Sequence, residues 1–86
     1  MRRVPRFYFT VRDSLGETDD YEGANLTGVE AAILHAATAA RSMMSDSIKR
    51  GQLELDAFIE IEDKDRIVVA RLYFEEAISG HYGQVP

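Results

Sequence analysis

Hydrophobic and polar positions alternate at both ends of the chain and recur at three- and four-residue steps in the middle. From Arg6 to Arg12, Phe7, Phe9 and Val11 fall on one side and Tyr8, Thr10 and Arg12 on the other, in a run rich in aromatic and β-branched residues. That spacing predicts a strand with one buried face. Asp13-Ser14-Leu15-Gly16 supplies turn residues, and a short polar strand around Glu17 to Tyr21 would close a hairpin.

The middle of the chain has a helical period. Val29, Ile33, Ala36, Ala37, Ala40, Met44 and Ile48 form one stripe, with His35, Thr38, Ser42, Ser45 and Lys49 opposite. Thr27-Gly28-Val29-Glu30 has the form of a capping box, with Thr27 as N-cap and Leu26 before it, so the helix should start near Gly28. Lys49 and Arg50 suit the negative end of the helix dipole, and Gly51 is a natural stop. A helix over 28–50 would be roughly 34 Å long, enough to run the length of a small sheet.

Strict alternation resumes after Gly51. Leu53, Leu55, Ala57, Ile59 and Ile61 share one side, and Glu54, Asp56, Phe58, Glu60 and Glu62 the other. Glu62 to Asp65 forms a turn before a last strand, Arg66 to Phe74, with Val68, Ala70, Leu72 and Phe74 on its inner side. The expected fold is therefore α+β, a ββαββ domain over 1–74 in which an antiparallel sheet of about four strands carries one long helix on one face. Residues 75–86 follow as a partly flexible tail with a short helical turn at most.

At 86 residues there is room for one hydrophobic core, and 45% hydrophobic with 29% charged residues is an ordinary globular balance. The absence of cysteine excludes disulfides, thiolate metal sites and a thiol nucleophile, and fits a reducing, cytoplasmic setting. The basic start Met1 to Arg6 is followed by too short an apolar stretch for an export signal, and no run is long enough to span a bilayer.

The net charge of −5 is unevenly spread, with four arginines and no acid in residues 1–12 and six acids and no base in 13–30. Arg2, Arg3, Arg6, Tyr8 and Arg12 mix guanidinium and aromatic groups as single-strand nucleic-acid binders do, which makes a nucleic-acid-associated regulator the alternative function. The acids of the neighbouring strand, Glu60 among them, oppose it. The acids Glu17, Asp19, Asp20 and Glu22 before Gly23 do not have the spacing of a calcium loop; Asp20, Glu22 and Gly23 are read as setting the turn. His35 and His81 have no partner at metal-ligand spacing, and Ser42, Ser45 and Ser47 stand in no nucleophile context, so no catalytic residue, metal or cofactor is expected.

One helix covers one face of a sheet. The other face would carry Tyr8, Phe58, Ile67, Val69, Arg71 and Tyr73, more apolar than a solvated face requires. This predicts a non-catalytic interaction module, a homodimer joined through the uncovered sheet face or a sheet edge, with a further protein partner left open.

The order Arg6-Phe7-Tyr8-Phe9, Asp20-Tyr21-Glu22-Gly23, Leu26, Glu30-Ala31-Ala32 and Ile59-Glu60-Ile61-Glu62-Asp63 with a closing apolar strand resembles a family. Its members are short uncharacterised proteins, common in rhizobia and related alphaproteobacteria, with an Arg-Tyr-Phe-Phe start and an Asp-x-Glu-Gly turn, known as a domain of unknown function. The resemblance spans about residues 6–74. Thr10 stands where that family often has a histidine or aspartate, and the resemblance implies an architecture but no activity, substrate or cofactor.

Overall fold

The computed structural model describes residues 4–20 and 22–80. Its elements run in the order β1 (Arg6–Asp13), β2 (Gly16–Thr18), β3 (Ala24–Asn25), α1 (Val29–Lys49), β4 (Phe58–Glu62), β5 (Val68–Tyr73) and α2 (Phe74–Ser79). The predicted α+β class holds: an antiparallel open sheet of order β2-β1-β4-β5, with β3 also pairing β1, carries one long helix and a short second one. Among the described residues no helix is long and apolar enough to cross a membrane.

The core forms where the helical stripe meets the inner faces of the strands. Ala32, Ile33, Ala36, Ala37, Ala40 and Met44 of α1 are buried with Phe7, Ile59, Ile61, Ala70 and Leu72 from the sheet and with Phe74 and Ala77 of α2. The alanines leave little side-chain volume on α1, which lets the helix lie close to the sheet. Packing continues past Phe74, because α2 docks on α1 and Arg41 donates to the Ala77 carbonyl at 3.1 Å.

Four local expectations are corrected. The Thr27 capping box does not form: α1 begins one residue later, with Gly28 at the N-cap and no side-chain cap, which moves Glu30 from the third helical position to the second. At the other end, Gly51 (φ 79°) donates to the Ile48 carbonyl and Gln52 to the Ser47 carbonyl, the paired bonds of a Schellman stop. Ile48, placed in the inner stripe by its period, is 58% exposed. The alternating run from Leu53 becomes a strand only at Phe58, because pairing with β1 ends at the Arg12–Phe58 pair. Leu53 and Leu55 are exposed, while the carbonyls of Leu55 and Ala57 accept the amides of Glu75 and Phe74 as the chain passes the start of α2.

The fourth correction concerns β5. It begins at Val68 rather than Arg66, and its register against β4 slips between Ile61 and Glu62, leaving Val69 as the extra residue of a bulge. The alternation therefore changes phase. Val69, expected on the outer face, packs against the core, and Ile67 lies in the turn, 61% exposed. At the opposite edge, β2 spans only Gly16–Thr18, and the unforeseen β3 pairs Arg6 and Phe7 further along the same side of β1. Tyr21, the far end of the expected second strand, lies outside the described residues.

Candidate interaction surfaces

The uncovered face of the sheet is built from alternate residues of β1, β4 and β5. Cross-strand register sets Thr10 opposite Glu60, Glu60 opposite Arg71, and Phe58 between Arg12 and Tyr73. Of the six residues expected to form an apolar patch there, Phe58, Arg71 and Tyr73 are brought together. The Phe58 and Tyr73 ring centroids are 5.1 Å apart, and the Arg71 guanidinium lies 5.1 Å from the Phe58 centroid. Tyr8 lies toward the other end of β1, opposite Glu62, and Ile67 and Val69 do not join the face.

Ion pairs lace this face. Glu60 accepts from Arg12 Nε at 2.5 Å through one oxygen and from Arg71 at 3.0 Å through the other, tying β1, β4 and β5 together. Glu62 accepts the Thr10 hydroxyl at 2.8 Å and pairs with Arg66 Nε at 3.0 Å. The guanidinium of Arg66 also lies 4.2 Å from the centre of the Tyr8 ring, a cation–π contact, and donates to the Asp20 carbonyl at 3.0 Å. Burial acts to raise the Glu60 pKa, but hydrogen bonds from Arg12 and Arg71 and their charges outweigh it, so the carboxyl is held below its ordinary value. The Arg12 guanidinium is in turn held more firmly protonated by its hydrogen bond to Glu60, against a smaller opposing effect of burial.

The loop between β2 and β3 closes this network at the sheet margin. Asp20 accepts the amides of Glu22 and Gly23 on one carboxylate oxygen and that of Phe9 on the other. Gly23 (φ 73°) approaches β1 so closely that a Cβ there would sit 2.7 Å from the Phe7 carbonyl oxygen. The turn-setting role expected of Asp20 and Gly23 is what their geometry shows. The residues named for nucleic-acid contact are dispersed: Arg6 donates to the Glu22 carbonyl, Arg12 pairs with Glu60 and Glu17, and Tyr8 lies beneath Arg66. Arg2, Arg3 and His81 lie outside the described residues. His35 is exposed, its ring 4.8 Å from that of Phe9.

A second surface emerges at the end of the molecule where β1 and β5 finish, β4 starts and α1 terminates. The β1–β2 turn, the 51–57 connection and α2 all meet there. Nine large hydrophobic side chains are exposed among the described residues, and Leu15, Ile48, Leu53, Leu55, Tyr73 and Ile78 belong to this end. Leu15 is 96% exposed at the apex of the turn, yet its backbone is pinned: its amide donates to Asp13 Oδ1 at 2.9 Å, and the Ser14 amide to Glu54 Oε1 at 2.7 Å. Between α1 and α2 lies an open hollow of about 320 Å³, lined by Arg41, Met44, Ser45, Ile48, Lys49 and Ile78. Leu15 and the α1–α2 hollow were missed by sequence reasoning. The signal was a leucine inside the polar turn Asp13-Ser14-Leu15-Gly16, a residue the turn itself does not call for.

A family model described as a domain of unknown function, DUF6894, matches residues 6–75. No curated protein and no solved structure matches the chain.

Proposed function

The chain belongs to the DUF6894 family, whose function is unknown, and we propose that it is a non-catalytic protein-interaction module that docks through the end bearing Leu15, Ile48, Leu53 and Ile78. The gathering at that end of six of the nine large hydrophobic residues exposed among the described residues carries this reading, since exposed apolar side chains on one surface mark contact sites. The sheet face supports it less well. Its carboxylates are paired with the guanidiniums of Arg12, Arg66 and Arg71, although the buried Arg71 Nε has no hydrogen-bond partner, and its rings lie partly beneath the arginines. The same pairing disfavours the nucleic-acid alternative, because a phosphate would compete with Glu60 and Glu62 for Arg12, Arg66 and Arg71.

This reading keeps the module in the cytoplasm, as the cysteine-free sequence suggests, and groups it with the small alphaproteobacterial proteins of the same motif order. A photoreactive amino acid placed at Leu53 in the intact chain, and in a control at Lys64 in the far turn, tests it in cells of the native host. Discrete protein adducts from position 53 and none from position 64 are expected. Equal labelling from both, or none from 53, would overturn the reading.

A further inference from the structure

The end surface contains both halves of a contact. One half is a knob: Leu15 projects from a two-residue turn with acidic side chains on either flank, Asp13 and Glu17, both exposed, Asp13 holding the Leu15 amide and Glu17 sharing Arg12 with Glu60. The other is a socket: the α1–α2 hollow has Met44, the buried residue of its lining, and the apolar walls Ile48 and Ile78, with the cations Arg41 and Lys49 beside them. At about 320 Å³ the hollow has space for a leucine side chain.

Knob and socket are thus complementary in both apolar character and charge sign, and both belong to the same end of the fold. Two copies facing each other by this end across a two-fold axis would exchange them reciprocally, each Leu15 entering the other's hollow and each acidic flank meeting Lys49. The pinned backbone of the knob favours this, because little conformational freedom remains to be lost on docking. From this complementarity we infer that the partner recognised is a second copy of this chain, joined by reciprocal insertion of Leu15 into the α1–α2 hollow. The inference rests on the interaction reading above and narrows it to one partner and one geometry.

Sedimentation equilibrium of the full chain tests it. Wild type should dimerise at concentrations on the order of 100 µM, and Leu15→Asp, whose side chain touches no core, should weaken dimerisation at least about tenfold with an unchanged far-UV spectrum. Ile78→Asp should act alike from the socket side. Lys49→Glu should weaken association, and adding Glu17→Lys to it should restore part of the loss, a rescue that a merely structural effect would not give. A wild-type chain that stays monomeric, or a Leu15→Asp chain that dimerises as wild type does, overturns the inference. If such a monomer still gives adducts to a different protein from position 53, the second copy is excluded and the interaction reading stands. If it gives none, both fail.

Discussion

The Thr10 hydroxyl donates to the Glu62 carboxylate across β1 and β4 at 2.8 Å, linking two buried polar residues on the face of the sheet that no helix covers. Thr10 is only 1% exposed, so its hydroxyl cannot turn to water instead, and Asp19 Oδ1 offers it only a longer second acceptor at 3.4 Å. Thr10→Val keeps the shape and removes the donor, and should destabilise the fold by about 1–2 kcal/mol. Thr10→Ser should cost less than Thr10→Val. Urea denaturation of the two variants checks the order.

Glu60 makes stability depend on acid. Its carboxyl titrates below the ordinary value in the folded chain because the hydrogen bonds and charges of Arg12 and Arg71 outweigh its burial. The unfolded state therefore takes up the proton first as pH falls. The stabilisation is fully present above the ordinary glutamate range, about pH 4 to 5, and is lost as pH drops through the folded-state value. Glu60→Gln should lower stability at pH 7 and flatten its decline below pH 5. Melting temperatures of both proteins between pH 3 and 7 measure this, and parallel curves would contradict the assignment.

Arg66 occupies a left-handed backbone conformation, φ 65°, that costs a side-chain-bearing residue about 1 kcal/mol. Its guanidinium offsets that cost through Glu62, the Asp20 carbonyl and the Tyr8 ring. Arg66→Ala keeps the strained backbone and loses the contacts, so it should cost about 1–2 kcal/mol. Arg66→Gly loses the same contacts but relieves the strain, and should be less destabilising than Arg66→Ala by about 1 kcal/mol. Chemical denaturation of the pair gives the difference directly.

Gly23 and Gly51 share a positive φ and differ in their surroundings. A Cβ at Gly51 meets nothing within 4 Å, whereas one at Gly23 would sit 2.7 Å from the Phe7 carbonyl oxygen and 3.0 Å from the Tyr8 ring. Gly51→Ala should cost about 1 kcal/mol, for backbone strain alone. Gly23→Ala must also push the loop away from β1, and should cost more. The reverse order of unfolding midpoints would contradict the close approach of Gly23 to β1.

The parts of this fold legible in the sequence are those governed by local periodicity. The helix from Val29 to Lys49, its Gly51 stop and the outward set Phe58, Glu60 and Glu62 follow from spacing alone. What was hidden depends on partners distant in the chain. Alternation from Leu53 says nothing of where a neighbouring strand runs out, and no local pattern marks Val69 as a bulge residue. The face looked apolar because Tyr8, Phe58 and Tyr73 were visible while the pairing of Glu60 with both Arg12 and Arg71 required the β1–β4–β5 order. The end surface was less legible still, since it joins residues from the first hairpin, the helix terminus and the segment after β5.

A dilution series followed by amide NMR in the full chain, from dilute to several-fold concentrated samples, shows which surface two copies share. The signals of Leu15, Gly16, Ile48, Lys49 and Ile78 should shift together with one apparent dissociation constant, while those of Thr10, Glu60 and Arg71 stay still. Shifts centred on the sheet face, or a spectrum independent of concentration, would contradict that expectation.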